Sequence, residues 1–138
     1  MNAVDTSVVV PALTQWHEAH DQARQAAWGA AIPAHALVES YAVLTRLPAP
    51  HRVEAEVAAR LLGAWFPPER ILHAPPGLLE RFLSLAVDAG ISGGATYDAL
   101  VGLTAAEHGM GLTTRDLRAG RNYRRLGIRY RLLGAGST

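Results

Sequence analysis

Four acidic residues of this 138-residue chain stand where acids can share one site: Asp5, Glu39, Asp98 and Asp116. Asp5 ends the first predicted strand and Asp116 follows the fourth, whereas Glu39 and Asp98 lie in the first turns of two predicted helices. In open α/β sheets, ligands bind beyond the carboxyl ends of the strands. If the first and fourth strands are neighbours, all four carboxylates can approach one rim of the sheet.

Such a cluster of carboxylates would bind a cation. Two like charges roughly 4 Å apart repel each other by roughly 4 kcal/mol at an effective dielectric constant of about 20. Four of them together must therefore take up protons or bind cations. An oxygen-only ligand set favours hard ions such as Mg²⁺ or Mn²⁺. A metal held in this way suits phosphodiester hydrolysis, because it activates a water molecule and stabilises the leaving oxygen.

Each acid also has a purely structural interpretation. Asp5 and Asp116 can each be a helix N-cap, and Asp98 can favour a helix N-terminus through the helix macrodipole. Glu39 is harder to explain in this way, because it interrupts residues 36–44, which are apolar almost all round the helix. We therefore expect its carboxylate to be at least partly buried and to need a partner.

The elements that must position these acids alternate between short strands and helices. Strands are predicted at residues 2–5, 31–33, 71–74, 111–113 and 128–133, the last as an edge strand. Helices are predicted at residues 8–13, 16–28, 35–47, 52–65, 78–89 and 95–108, and residues 117–126 are predicted as a polar helix or loop. This alternation predicts a layered α/β fold with a mostly parallel sheet. We expect one domain over residues 1–133 and a frayed tail over residues 134–138.

The composition suits a compact domain and narrows the chemistry. Hydrophobic residues make up 49% of the chain and charged residues 18%, as in ordinary globular proteins. There is no cysteine, which excludes disulfides, zinc–thiolate sites and a cysteine nucleophile. The sequence shows no signal-peptide pattern and no apolar stretch of about 20 residues. We therefore expect a cytoplasmic protein that does not contact a membrane.

All 13 basic residues are arginine, and seven of them lie between positions 115 and 131, although the net charge is only +1. Arginine pairs with phosphate through a planar fork of donors and keeps its charge at every physiological pH. Arg115, Arg118 and Arg121, which lie nearest to the last acid, are therefore candidate contacts for a phosphate-containing substrate. A solvated helix face or an arginine-rich codon bias would explain the run equally well.

Other chemistries fit the sequence poorly. His17 and His20 have the spacing of a metal-binding pair, but no third ligand lies nearby. His35 lies one turn before Glu39 and could line the same pocket. A phosphate-binding loop would need a lysine, and the chain has none.

Four segments resemble, in order, the motifs of PIN-domain nucleases. The segments are Val4–Ser7 for the opening motif, Leu37–Pro48 for the second in its VapC toxin form, Gly94–Leu100 for the third, and Leu112–Asp116 with Tyr123–Ile128 for the fourth and the final strand. Thr114 also matches the hydroxyl residue that commonly lies two positions before the last acid. The resemblance covers nearly the whole chain at the expected spacing.

This resemblance implies a three-layer α/β/α fold with a five-stranded parallel sheet in order 3-2-1-4-5, in which the first and fourth strands are neighbours. It implies an endoribonuclease that uses Mg²⁺ or Mn²⁺ to cut structured RNA such as tRNA or rRNA. Asp5, Glu39, Asp98 and Asp116 would be the catalytic metal ligands, with Ser7 and Thr114 in support. It also implies a homodimeric toxin with a VapB-type antitoxin that blocks the acidic pocket, often with an arginine.

Three competing hypotheses are open at this point. A receiver domain of two-component signalling shares the alternating layout, but it needs a lysine after the last strand, and the chain has none. A PIN-like scaffold that only binds a partner typically loses an acid, whereas all four are present here. A nuclease for DNA or flap substrates usually carries added structure, for which 138 residues leave little room.

Overall fold

Seven helices and five short strands alternate along the chain in the computed structural model, which describes residues 1–134. The strands are β1 (Ala3–Val4), β2 (Ile32–Pro33), β3 (Ile71–Leu72), β4 (Leu112–Thr114) and β5 (Tyr130–Leu132). The helices are α1 (Thr6–Ala12), α2 (His20–Ala27), α3 (Ala34–Arg46), α4 (Ala55–Trp65), α5 (Leu78–Asp88), α6 (Ala95–Glu107) and α7 (Leu117–Arg125). A 3₁₀ turn over Pro68–Arg70 leads into β3. The predicted α/β class is confirmed.

The strands form two parallel sheets rather than the single five-stranded sheet expected in order 3-2-1-4-5, and that expectation is wrong. β1, β4 and β5 form one sheet in the order β1-β4-β5, and β2 pairs with β3 in the other. The two sheets meet at an isolated parallel bridge between Ala3 and Ala31. β2 is only two residues long and its second residue is Pro33, which has no N–H to extend the hydrogen-bonded ladder.

The adjacency on which the site depends is present. β1 and β4 pair in parallel, with Ala3 opposite Leu112 and Val4 opposite Thr113. The ends of both strands therefore lie at the same edge, where Asp5 follows β1 and Asp116 lies two residues after β4. β5 lies at one edge of this sheet, as its alternating pattern predicts.

Two helices begin at other residues than predicted because of local side-chain hydrogen bonds near their starts. The helix predicted at residues 16–28 begins only at His20, since the backbone N–H of Ala19 donates to Nδ1 of His17 and residues 15–19 form turns. The helix predicted at residues 8–13 begins earlier, at Thr6, because Asp5 caps it. The segment 117–126, predicted as helix or loop, is the helix α7.

The core gathers around β1 and β4, and its largest fully buried side chain is that of Tyr123. Tyr123 packs against α6 at Gly102, where an added Cβ would lie 2.9 Å from the Tyr123 ring and 2.7 Å from Cδ1 of Ile128. Real Cβ atoms do not approach so closely, so only glycine lets α7 pack this near to α6. This packing brings the tyrosine hydroxyl to the carboxyl edge of the sheet.

Two further predictions from the sequence concern the C-terminal tail and membrane-spanning segments. The expected frayed tail falls, apart from Gly134, outside the described residues. Within residues 1–134, none of the helices has both the length and the apolar character that a bilayer crossing requires.

Candidate active site

An open pocket of about 200 Å³ lies at the carboxyl edge of β1 and β4, and all four predicted acids line it. The remaining lining residues are Thr6, Ser7, Val101, Ala119 and Tyr123. The structure therefore brings Asp5, Glu39, Asp98 and Asp116 together although they are spread over 112 positions of the chain. No arginine or histidine among residues 1–134 forms an ion pair with any of them. The pocket is an uncompensated acidic site.

Asp5 is the most deeply buried of the four, with 7% of its surface exposed. Its Oδ1 accepts hydrogen bonds from the backbone N–H of Ser7 at 3.1 Å and from Ser7 Oγ at 2.6 Å, and its Oδ2 accepts one from the hydroxyl of Tyr123 at 2.8 Å. Burial raises the pKa of Asp5, whereas the hydrogen bonds from Ser7 and Tyr123 oppose that rise. The fold thus buries this carboxylate and gives each of its oxygens a hydroxyl donor.

Ser7 and Thr114 connect the end of β4 to the start of α1. Ser7 Oγ lies 3.2 Å from Thr114 Oγ1 and accepts a hydrogen bond from the backbone N–H of Arg115 at 2.7 Å. Because the Ser7 hydroxyl proton points to Asp5, Thr114 is the donor in the hydroxyl pair. Thr114 Oγ1 in turn accepts from the backbone N–H of Asp116 at 3.1 Å. A continuous chain of hydrogen bonds therefore runs from Asp116 to Asp5.

Asp98 and Asp116 approach the pocket from α6 and from the start of α7. Asp98 is half-buried in the first turn of α6, and its Oδ2 accepts a hydrogen bond from Asn122 Nδ2 at 3.0 Å. Burial raises the pKa of Asp98, and the negative charges of Asp116, Asp5 and Glu39 raise it further, against the Asn122 hydrogen bond. Asp116 also lines the pocket and is exposed. The four carboxylates therefore interact electrostatically.

Glu39 is exposed, so the expectation that its carboxylate is partly buried is wrong. The apolar run around it is not buried on all sides, because Val38 is 66% exposed and Tyr41 is 39% exposed. The predicted need for a partner is met by a hydroxyl instead. Thr6 Oγ1 donates to Glu39 Oε1 at 2.8 Å and also contacts the carbonyl oxygen of Ala36 at 3.2 Å. Thr6 thereby links α1, the helix that Asp5 caps, to α3, the helix that carries Glu39.

Asp5 and Asp116 cap helices, as their structural interpretation predicts, and they line the pocket as well. Asp5 is the N-cap of α1, and Asp116 is the N-cap of α7, where it accepts from the backbone N–H groups of Arg118 at 2.9 Å and Ala119 at 3.3 Å. Each cap residue uses one carboxylate oxygen for the helix. The second oxygen of Asp116 accepts no hydrogen bond from residues 1–134 and is free to meet a ligand.

Three polar neighbours of the acids were not predicted as site residues: Thr6, Asn122 and Tyr123. Asn122 and Tyr123 are uncharged residues between Arg121 and Arg124. That interruption of a charged run is the signal that marks the buried face of α7, since both side chains are buried while the arginines are exposed. Burial and the nearby Asp5 carboxylate raise the pKa of the Tyr123 hydroxyl, which is therefore a fixed proton donor at physiological pH.

The donor set fits a hydrated hard cation rather than a closed metal cage. Among residues 1–134, no group of three or more histidine, aspartate or glutamate side chains is placed so that it could hold a metal ion. Mg²⁺ keeps several waters and commonly uses only one or two carboxylates together with substrate phosphate. Four oxygen-only side chains around an open pocket match that requirement, three of them held by a hydroxyl or a side-chain amide and Asp116 by backbone N–H groups.

The three arginines predicted to contact the substrate differ in how exposed they are. Arg118 and Arg121 are exposed on α7, whereas Arg115 is half-buried and its Nε has no hydrogen-bond partner among residues 1–134. The structure therefore separates Arg115 from the other two arginines. His35, expected as a possible lining residue, does not line the pocket.

Comparisons with known proteins agree with this arrangement. Residues 3–125 match the family model described as PIN domain. The chain is 43% identical over 134 residues to Ribonuclease VapC40 of Mycobacterium tuberculosis, covering 96% of this chain and 99% of that protein. It is 45% identical over 130 residues to Ribonuclease VapC27 of the same organism, covering 91% of this chain and 92% of that protein.

One solved structure extends the comparison to the fold. M. tuberculosis VapC20, described as a Sarcin-Ricin loop cleaving toxin, superposes with a TM-score of 0.65 at 20% identity, covering 88% of this chain and 94% of that one. At this level of identity the likeness concerns the fold alone.

Proposed function

Because this chain belongs to the PIN-domain family, together with the VapC ribonucleases it matches over nearly its whole length, we propose that it is a toxin endoribonuclease that depends on Mg²⁺ or Mn²⁺. Its substrate would be structured RNA such as tRNA or rRNA. The observation that carries the proposal is the meeting of four carboxylates in one pocket at the carboxyl edge of β1 and β4, where no arginine or histidine of residues 1–134 pairs with them.

In this proposal Asp5, Glu39, Asp98 and Asp116 hold the metal with the help of water. When bound, the ion would activate a water molecule and stabilise the leaving oxygen of the phosphodiester. Ser7 and Tyr123 hold the Asp5 carboxylate in place, and Asn122 does the same for Asp98. Thr114 supports Ser7. Such supporting hydrogen bonds fix the direction from which a carboxylate meets a metal.

Removing the metal tests this role directly. We expect the purified protein to stop cutting RNA in a chelator and to recover when Mg²⁺ or Mn²⁺ is added in excess. The same ions should raise the melting temperature of the wild-type protein, because a ligand at about 100 times its Kd stabilises the fold by about 2.7 kcal/mol. RNA cleavage that continues unchanged in the chelator would contradict the proposed metal dependence.

The exposed arginines of α7 would bind the RNA backbone. Arg118 lies at the helix start next to Asp116, and Arg121 lies one turn further on, so both can reach phosphates near the pocket. Each phosphate contact on single-stranded RNA contributes about 0.7 to the slope of log affinity against log salt. Arg118→Ala with Arg121→Ala should therefore reduce that slope by about 1.4. Arg52→Ala with Arg60→Ala, two exposed arginines outside this segment, should leave it unchanged.

A VapB-type antitoxin would be the protein partner. The pocket offers the charge that an arginine side chain of such a partner would pair with, and no arginine of residues 1–134 pairs with it internally. Adding the purified antitoxin should suppress RNA cleavage. Cleavage that continues at full occupancy of the complex would contradict a role at this pocket.

We also place a homodimer contact on α5. Leu79, Leu83 and Val87 follow one another at four-residue intervals and are 60%, 73% and 77% exposed, so they form an apolar stripe on one face of this helix. A second copy of the chain would cover this stripe. Leu83→Glu should shift the sedimenting species from dimer to monomer, whereas Ser84→Glu, at an exposed neighbouring position, should not.

One observation argues against each of the three competing hypotheses. The match to the PIN-domain family over residues 3–125 rules out the receiver-domain hypothesis. A scaffold that only binds a partner has no need of four carboxylates gathered in one pocket, each of which accepts a hydrogen bond. The VapC relatives matched over nearly the whole chain carry the name ribonuclease, which favours RNA over a DNA or flap substrate.

A further inference from the structure

An exposed tyrosine ring and a half-buried histidine ring stack on each other between the two helices that carry Glu39 and Asp98. The imidazole of His35 on α3 and the phenol ring of Tyr97 on α6 are nearly parallel, with 3° between their planes and 5.2 Å between their centroids. This is offset stacking, in which each ring uses one face for its neighbour. Tyr97 keeps exposed surface beyond this stack, since 56% of the residue is accessible.

The position of the stack relative to the acids is fixed by the helices. Tyr97 directly precedes Asp98, and His35 precedes Glu39 by four residues, which places the last two on the same side of α3. Neither ring lines the pocket itself. The stack therefore flanks the acidic pocket, within one helical turn of two of its four carboxylates.

The exposure of Tyr97 has no explanation in the packing of the fold. Its ring belongs to no cluster of core side chains, and its aromatic contact is with a half-buried histidine at the same edge. Aromatic faces at such edges are surfaces on which nucleic-acid bases stack, and unpaired bases do so regardless of their sequence.

We propose that the His35–Tyr97 stack is a substrate-binding shelf on which an unpaired base of the RNA stacks, next to the phosphodiester that the acidic pocket holds. This inference rests on the proposed ribonuclease function and adds a substrate preference to it. The preferred RNA has an unpaired nucleotide beside the cut, because a base inside a duplex cannot leave its own stack to reach Tyr97 without losing its pairing.

The variants separate the shelf from a structural role of the rings. Tyr97→Leu removes the aromatic face but keeps an apolar side chain, and Tyr97→Phe keeps the ring as the matched control. A base that stacks on an aromatic side chain gains binding by roughly 5- to 150-fold. We expect Tyr97→Leu to lower kcat/KM for RNA by that factor, Tyr97→Phe to behave as wild type, and both to melt within a few degrees of the wild-type protein.

The deciding experiment combines these variants with abasic RNA. A short synthetic RNA that spans the strongest cut site mapped in cells carries one abasic nucleotide at each position beside the cut in turn. With the wild type, one abasic position should lower kcat/KM by the same factor as Tyr97→Leu does. With Tyr97→Leu, that abasic position should cause no further loss, because the variant has already removed its partner.

Two results would overturn the shelf, and they have different meanings. If the losses from Tyr97→Leu and from the abasic position simply multiply, or if no abasic position matters, the base does not stack on Tyr97, although the proposed ribonuclease function stands. If the wild type leaves the RNA intact with Mg²⁺ or Mn²⁺ present, the ribonuclease function fails and the shelf fails with it.

Discussion

Asp98→Asn should abolish RNA cleavage and at the same time stabilise the metal-free protein. Mutating a group that only supports a metal ligand typically costs 10- to 100-fold, so removing a proposed ligand should cost at least about 100-fold. Induction of the wild type in a bacterial host should produce new RNA 5′ ends at defined sites. The same sequencing of cells that express Asp98→Asn at equal abundance should not show them.

The stabilisation follows from the sign of the pKa shift. The pKa of Asp98 is raised in the fold, by burial first and then by Asp116, Asp5 and Glu39. Ionised Asp98 is therefore less favourable in the folded than in the unfolded chain, and stability falls as the pH rises through its unfolded and then its folded pKa. Asparagine removes this loss and still accepts the Asn122 hydrogen bond through its amide oxygen. Near pH 7 the metal-free variant should melt above the wild type, and the difference should vanish below the ordinary aspartate pKa.

These two measurements check each other. An inactive Asp98→Asn protein that also melts lower than the wild type would show that the carboxylate has a structural role instead. Equal RNA profiles for the two proteins would contradict a catalytic role for Asp98 and would favour the hypothesis of a binding scaffold.

Tyr123→Phe should have the second largest effect, because it removes one oxygen atom that donates to the most buried acid. The Tyr123 hydroxyl lies 2.8 Å from Asp5 Oδ2 in a buried contact. A hydrogen bond to a charged group contributes about 1.5–3 kcal/mol to stability, so the variant should lose about that much free energy of unfolding near pH 7. The loss should shrink at acid pH, where Asp5 is protonated and no longer needs the donor.

The same substitution should change the chemistry of the pocket. Tyr123 favours the ionised form of Asp5 against the burial that raises its pKa. Without that donor the pKa rises further, so the acid limb of the activity profile should move to higher pH, and metal affinity should fall by about 10- to 100-fold.

Tyr130→Phe is the matched control. Its ring centroid lies 6.0 Å from that of Tyr123, but within residues 1–134 its hydroxyl donates to none of the four acids. It should therefore keep the wild-type pH profile. Equal shifts for the two variants would contradict the assignment of Tyr123 as the residue that positions Asp5.

The sequence predicts those features of the site that depend on residues close together in the chain, and it does not predict those that depend on distant ones. The four acids were identified from local patterns, since each one stands at the start of a helix or the end of a strand, and the motif order supplied the family. Their degree of burial was not predictable in the same way. Glu39 sits in an apolar helical segment and is nevertheless exposed, because the neighbouring Val38 and Tyr41 face outward too. Periodicity shows that side chains share a face and does not show what covers that face.

The sequence by itself determined the residue types of the pocket, the alternation of strands and helices, the absence of cysteine and lysine, and the resemblance to one nuclease family. Only the tertiary structure decided which hydroxyl meets which acid, that the strands form two sheets joined at one bridge, and that two rings stack beside the pocket. The physical reason is distance along the chain. Tyr123 reaches Asp5 across 118 positions, and it does so because Gly102 leaves room for its ring against α6, a packing condition that no local pattern contains.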